Sequence, residues 1–200
     1  YDYVVVTKQG RYWGVVTVKR LLEHATELEL NYARHLNPLS GLPGNLIIED
    51  RLEKAIASGK ETAVIYIDIG DFKAYNDVYG FENGDRVIQW LAEALLEHVL
   101  QRFGTEAFVG HVGGDDFIVI AQPSLGALPD FCQAVLDAFQ QHLACCYSLE
   151  HFQQGSVFSV DRSGSERAIP LMSLSMAVVA GPGEQMVSPT VLAELASRIK

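Results

Sequence analysis

Ala63-Val64-Ile65-Tyr66-Ile67-Asp68-Ile69-Gly70-Asp71 is the stretch whose reading decides the fold. The continuous run Ala63 to Ile67 predicts a buried strand. Asp68 follows it directly and Asp71 lies three residues further on, so at least one carboxylate sits at a strand end, where a ligand can reach it. A second segment answers the first: Phe108-Val109 and Phe117 to Ala121 flank Gly113-Gly114-Asp115-Asp116 and predict a tight hairpin. Its turn carries two more carboxylates, and its glycines let a backbone approach a phosphate closely. If the two strands are neighbours, four acids converge. Such a cluster requires a cation, and hard oxygen ligands that leave room for water and phosphate suit Mg²⁺. Either half alone is ordinary turn chemistry; their occurrence together in one domain is what carries weight.

Working outward, Leu46, Ile47, Leu52 and Ile56 predict a helix before this strand, and Val87, Ile88, Leu91, Leu95 and Val99 a long one after it. Phe131, Val135, Leu136, Phe139 and Leu143 predict a third. Ser156 to Val160 and Leu171 to Val179 read as two strands across a polar turn at Arg162 to Glu166, and Ser188-Pro189 opens a last helix. Helices interleaved with strands give an α+β fold. The turn cluster Asn37, Pro38, Gly41, Pro43 and Gly44 starts this domain at residue 37. Ahead of it, the β-branched runs within Val4 to Val18, joined by a polar stretch containing Gly10, predict a hairpin. Two strands alone are marginal in water, so partners are expected upstream of Tyr1. Leu21, Leu22, His24, Ala25, Leu28, Leu30 and Leu36 then predict a connector helix over residues 19–36. The chain opens without Met and reads as a piece of something longer.

Composition narrows the function. The 200 residues carry 15 Lys plus Arg against 25 Asp plus Glu, a formal charge of −10, and 48% are hydrophobic. A chain of this length buries roughly 70% of its unfolded surface, enough for one substantial core without disulfides or structural zinc. Net negative charge argues against a nucleic-acid polymer, whose phosphates need clustered Lys and Arg. A small phosphate ligand that brings its own metal stays possible. Cys132, Cys145 and Cys146 are odd in number and lack the spacing of a zinc clip, so they are expected as reduced thiols in a cytoplasmic setting. No apolar run approaches the ~20 residues that span a bilayer.

Asp68-Ile69-Gly70-Asp71-Phe72-Lys73, Asn76-Asp77-Val78-Tyr79-Gly80, Gly84-Asp85 and Gly113-Gly114-Asp115-Asp116-Phe117 resemble, in order, the motif set of GGDEF domains, the diguanylate cyclase family. Asn37-Pro38-Leu39-Ser40-Gly41-Leu42-Pro43 is similar to that family's opening turn, and the likeness covers about residues 37–200. Gly14-Val15-Val16-Thr17-Val18 is similar to the end of a CBS module, placing a CBS-like remnant at residues 1–18. The resemblance implies a palm-like α+β fold with a central mixed or antiparallel sheet. It further implies that two such domains face each other in a dimer and condense two GTP molecules to cyclic di-GMP and two pyrophosphates. Asp68, the carbonyl of Ile69, Asp115 and Asp116 would hold Mg²⁺ (or Mn²⁺), with Asp115 and Asp116 catalytic. Asn76 and Asp85 match the guanine readers: a carboxylate accepting from N1–H and the 2-amino group rejects adenine, which offers neither donor. Lys73 is placed for the triphosphate, and Phe72, Gly113 and Gly114 lie against the substrate. The plain alternatives are surface charges for Lys73 and Asp85 and a helix-end cap for Asn76.

The chain also departs from the pattern. Asp116 replaces a Glu and shortens the side chain by one methylene, a displacement of roughly 1 Å where such a shift can cost ~100-fold in rate. Gly70 stands where a second Asp is common, with Asp71 beside it; Phe81 replaces a His, and His111-Val112 replaces Arg and an aromatic. The opening turn has Asn37 for Asp and Gly44-Asn45 for Asn-Arg. The family's product-inhibition pair, Arg-x-x-Asp, is matched here by Gly104 and Ala107, so no inhibition by bound product is expected at that site. The family's late phosphate-binding Lys would fall beyond Lys200. His111 is read as structural, Cys145-Cys146 as a buried helix-end pair, and Trp13 and Trp90 as packing residues. Three functions stand at this point: a cyclase; a GTP-binding regulatory module attached to a cyclic di-GMP phosphodiesterase of EAL type; and a dimerisation scaffold. Converging acids have no purpose in the last.

Overall fold

In the computed structural model, which describes residues 2–123, 126–160 and 166–182, the chain divides into two units, Tyr1–Leu36 and Asn37–Lys200. The helix expected from Ser188, Lys200 and all but the last residue of the expected turn at 162–166 lie outside the described residues. In the first unit, β1 (Tyr3–Lys8) pairs antiparallel with β2 (Arg11–Thr17). Their two-residue turn has positive φ at both positions, 53° at Gln9 and 74° at Gly10, the geometry that matches strand twist. Helix α1 (Val18–Ala33) follows directly. Trp13 corrects its expectation: its ring is 70% exposed, with Lys8 Nζ 5.0 Å from the centroid, and packs in no core.

The second unit contains α2 (Asn45–Ala57), β3 (Glu61–Gly70), α3 (Phe72–Tyr79), α4 (Phe81–Phe103), β4 (Phe108–Gly113) and β5 (Asp116–Ala121). After these come α5 (Ala127–Cys146), α6 (Leu149–Gln154), β6 (Ser156–Val160), β7 (Glu166–Pro170) and β8 (Ser173–Pro182). The main sheet runs β4-β5-β3-β8 with every neighbouring pair antiparallel; β6 and β7 form a separate antiparallel pair. This is the palm-like α+β architecture, with an antiparallel sheet rather than a mixed one among the described residues.

Side chains alternate across each strand, and β3 buries both sets. Ala63, Ile65, Ile67 and Ile69 join Phe117 and Val119 in a core with Val87, Leu91 and Leu95 of α4 and Phe131, Val135 and Phe139 of α5. Each such Leu, Ile or Phe contributes roughly 1.5–3 kcal/mol. On the opposite face Val64, Ile118, Ile120 and Phe108 pack with Ile48 and Leu52 of α2. Helix α2 sits close because β4 has Gly110 there: a Cβ would lie 2.6 Å from Ile48 Cγ1.

Three local readings are corrected. Strand β3 does not stop at Ile67; its pairing with β8 continues to Gly70 opposite Ser173, so Asp68 lies inside the strand. Strand β8 begins at Ser173, not Leu171, and a strand not expected there, from Glu166 at the end of the expected turn to Pro170, pairs back on β6. The pair Cys145-Cys146 ends α5, but Cys145 is exposed and Cys146 only half-buried; burial and then Cys145 push the Cys146 thiol up to about 11. Trp90 does pack, stacking on His142 at 3.8 Å between centroids.

Candidate metal and nucleotide site

Register brings the acids together. Asp68 on β3 is directly opposite Asp116 on β5, and both continue the sheet face that Val64, Tyr66, Ile118 and Ile120 occupy. The turn between β4 and β5 adds Asp115, and a ladder shift between His111 and Gly113 lets Gly113 pair with Asp116. Carboxylate oxygens of Asp68, Asp115 and Asp116 lie within 4.8 Å of one another; Asp68 is buried and the other two are half-buried. Three carboxylates at that spacing are an all-oxygen donor set, the chemistry of a hard divalent cation. Asp71 does not belong to it. Its φ of 59° makes it the left-handed residue that starts α3, and its side chain is exposed. The expected four acids are therefore three, and Asp71 does not stand in for an acid at Gly70. A Cβ at Gly70 would meet Ser173 Oγ at 2.6 Å across the ladder.

Tyr66 was not singled out from sequence. Two residues before Asp68 on the same face, it has its phenol pushed up to about 12 by burial and then by Asp116, Asp68 and Asp115. Period-two alternation would have found it. The shift reports that the phenol shares the electrostatic environment of all three acids and stays a neutral donor.

Helices α3 and α4 carry the expected nucleotide contacts. Phe72, Tyr75 and Tyr79 anchor α3: Tyr75 is 3% exposed, its hydroxyl donates to the Cys146 carbonyl at 3.0 Å, and it stacks on Tyr79 at 4.9 Å. Tyr79 in turn accepts from the Ser148 amide and bonds His151 Nδ1 at 2.6 Å. This fixing places Asn76 against α4 at Gly84. A Cβ there would lie 1.8 Å from Asn76 Oδ1 and 3.1 Å from Phe72 Cζ, so Gly84 is what permits Asn76 its position. Asn76 Oδ1 is buried without a hydrogen-bond partner, a state that costs roughly 1–3 kcal/mol and favours a ligand donor. Asn76 is not a helix-end cap by its side chain; its backbone carbonyl accepts from Gly80 N–H at 2.8 Å. Asp85 and Lys73 are exposed. Asp71 makes no side-chain cap to α3; the first amides of an α-helix have no partner within it, a feature that suits an anion.

His111 is 2% exposed and stacks on Phe117 at 4.3 Å between centroids. Its Nε2 donates to the Gly114 carbonyl at 3.1 Å, and its Nδ1 accepts from Ser40 Oγ at 2.8 Å. Burial lowers the imidazole's proton affinity, partly countered by the Gly114 contact, consistent with the neutral form.

Comparison with known proteins places the fold and the family. The profile of the family described as "Diguanylate cyclase, GGDEF domain" matches residues 34–150. The bifunctional diguanylate cyclase/cyclic di-GMP phosphodiesterase MucR of Pseudomonas aeruginosa is 31% identical over 105 residues, 50% of this chain and 15% of that protein. Diguanylate cyclase DgcS of Shewanella oneidensis is 26% identical over 118 residues, 57% of this chain and 38% of that protein. The cyclic di-GMP phosphodiesterase PdeR of Escherichia coli is 29% identical over 104 residues, again 50% against 15%. The chain thus spans well under half the length of these relatives. Among solved structures, the coiled coil and GGDEF domain of DgcB from Caulobacter crescentus, in complex with c-di-GMP, superposes with a TM-score of 0.60 at 19% identity, covering 90% of this chain and 85% of that one. At that identity the superposition speaks for the fold, while the profile match spans more than half of the chain. Carboxylates paired across β3 and β5, the Gly-Gly turn and this match agree: the chain belongs to the GGDEF, or diguanylate cyclase, domain family.

Proposed function

We propose that residues 37–200 form a GTP-binding domain that, when two copies face each other, condenses two GTP into cyclic di-GMP. The observation that carries this reading is the convergence of Asp68, Asp115 and Asp116 within 4.8 Å on adjoining strands beside a Gly-Gly turn. Asp68, the Ile69 carbonyl, Asp115 and Asp116 would hold Mg²⁺ or Mn²⁺. Such cations lower the pKa of the attacking 3′-hydroxyl and offset charge growing on phosphorus and the leaving oxygen. Asp85 accepts from guanine N1–H and the 2-amino group, and Asn76 supplies the orphaned Oδ1 to a base donor. Lys73, the first amides of α3 and the backbone at Gly113 and Gly114 receive the phosphates. The 3′-oxygen of each GTP bonds to the α-phosphorus of the other, pyrophosphate leaves with the electron pair of the broken bond, and Asp115 or Asp116 takes the hydroxyl proton.

A second reading has its own support. Asp116 is one methylene shorter than Glu, and the relatives include MucR, which is bifunctional, and PdeR, a phosphodiesterase. On that reading the domain binds GTP, turns over slowly and passes its occupancy to an attached EAL-type domain through the connector helix and the CBS-like piece, in the cytoplasm. No helix among the described residues is long and apolar enough to cross a membrane. The intact protein incubated with GTP and Mg²⁺ decides between them. Cyclic di-GMP that accumulates, and no longer does so in Asp115→Ala, supports the cyclase; GTP affinity without product supports the regulatory module; absence of GTP affinity refutes both.

A further inference from the structure

We infer that His111, held by Ser40, is a positioning residue that sets the plane of the Gly114–Asp115 peptide and so aims the Asp115 carboxylate at Asp68 and Asp116. This rests on the metal-binding reading above and adds to it a fixed support that runs from the opening turn to the acidic turn.

The support is continuous. Asn37 Oδ1 accepts from the amides of Leu39 and Ser40 at 2.9 and 3.2 Å, and Asn37 N–H donates to the Leu42 carbonyl at 2.7 Å, which closes the opening turn on itself. Ser40 Oγ accepts from Leu42 N–H at 3.3 Å, leaving its own proton for His111 Nδ1 at 2.8 Å. A carbonyl only accepts, so the contact at 3.1 Å between His111 Nε2 and Gly114 O places the other ring proton on Nε2. Both ring nitrogens are thereby satisfied in the neutral imidazole. His111 N–H donates to the Pro43 carbonyl at 2.9 Å, and the ring lies flat on Phe117, interplanar angle 12°. The imidazole is fixed from the opening turn, the β4 backbone and β5.

The group it holds is the hinge of the site. Gly113 and Gly114 have φ of 148° and 59°, conformations in which no side chain restrains the backbone. The carbonyl of Gly114 belongs to the peptide that carries Asp115 N–H, so tilting it swings Asp115 relative to two carboxylates on rigid strands. Partners that orient metal ligands from behind typically matter 10- to 100-fold in metal affinity.

Ser40→Ala, Ser40→Thr and His111→Gln in the intact protein test this with two readouts. The first is amide hydrogen exchange at Gly113, Gly114 and Asp115 without metal, normalised to exchange in the β3 core; it asks whether the restraint exists. The second is Mn²⁺ affinity in the presence of GTP, read from the electron paramagnetic resonance signal of free Mn²⁺. Expected are faster turn exchange and roughly tenfold weaker Mn²⁺ binding in Ser40→Ala, restoration of both in Ser40→Thr, and a loss at least as large in His111→Gln. A purely structural role would lower the unfolding midpoint of Ser40→Ala while leaving turn exchange and Mn²⁺ affinity within twofold of wild type, and that result overturns the inference. Wild type that takes up no Mn²⁺ with GTP instead refutes the metal reading and the purpose assigned here to His111, while the exchange data still report the restraint.

Discussion

Gly84→Ala is the change for which the structure makes the sharpest demand. In a helix interior Ala is favoured over Gly by about 1 kcal/mol, so at a roomy site the substitution stabilises. At Gly84 the new Cβ would lie 1.8 Å from Asn76 Oδ1 and 2.9 Å from Asn76 Cγ, whereas real Cβ contacts stay above 3.0 Å. The amide must retreat by about 1 Å or more, and Phe72 Cζ, at 3.1 Å, must also give by a few tenths. Overpacking of this kind costs roughly 1–3 kcal/mol, leaving a net destabilisation of about 0–2 kcal/mol. Removing Asn76 beyond Cβ deletes both atoms nearer than 3.0 Å and leaves only the milder contact with Phe72. Because Oδ1 has no hydrogen-bond partner, the deletion itself loses no bond there, and Gly84→Ala should become stabilising by up to about 1 kcal/mol in an Asn76→Ala background. Urea unfolding of wild type, both single variants and the double variant closes the cycle. GTP titration of the Gly84→Ala variant should show roughly tenfold weaker binding, the loss of about one well-made hydrogen bond. If Gly84→Ala stabilises the wild-type chain by the full helix-propensity increment, or the coupling to Asn76 is near zero, the placement of Asn76 over Gly84 is wrong and the base-reading role built on it goes too.

Saturation with Mg²⁺ at about 100 times its Kd should stabilise wild type by about 2.7 kcal/mol, a Tm rise of roughly 5–10 °C. Asp116→Asn should abolish that rise by scanning fluorimetry yet leave the metal-free Tm unchanged or higher, since it removes one of three like charges within 4.8 Å. Tyr147, 7% exposed, is pushed up to about 12, chiefly by burial. The unfolded phenol ionises near 10, so the contribution is complete below pH 10 and is lost as pH rises towards 12. Urea melts at pH 9 and 11 should show this loss shrink in Tyr147→Phe, which is less stable at both because Met172 N–H loses its acceptor at 2.9 Å. Calorimetric titration with cyclic di-GMP should find no micromolar site at the α4–β4 link, where Gly104 (φ 77°) and Ala107 stand; saturable binding lost on altering neighbouring Glu106 would contradict this.

Local pattern was enough for much of the chain. The runs at Ala63 to Ile67 and Phe117 to Ala121, the spacing of Val87, Leu91 and Leu95, and the turn residues at Asn37 to Gly44 mark elements whose period or backbone chemistry is written in consecutive residues. The residues proposed to hold the metal were legible for the same reason, because Asp68 and Asp115-Asp116 abut strand and turn signals. Helix α3 was not legible as a helix: its apolar residues Phe72, Tyr75 and Tyr79 are interleaved with Lys73, Asn76 and Asp77, and it is the tertiary contacts of Tyr75 with Cys146 and of Tyr79 with Ser148 and His151 that hold it. Strand β7 owes its existence to pairing with β6 rather than to its own alternation.

What the sequence by itself determined is which side chains are available: carboxylates beside an apolar strand run and at a Gly-Gly turn, an amide eight residues after Asp68 and an acid nine after that, and a helix-and-strand order compatible with one α+β sheet. What only the tertiary structure decided is which of them meet. Pairing of β3 with β5 puts Asp68 opposite Asp116 and leaves Asp71 out; α3 against α4 sets Asn76 over Gly84; and β4 against the opening turn joins Ser40 to His111 across 71 positions of chain. Residue type and local period are properties of neighbours along the chain, whereas a site depends on register and packing between segments far apart in it.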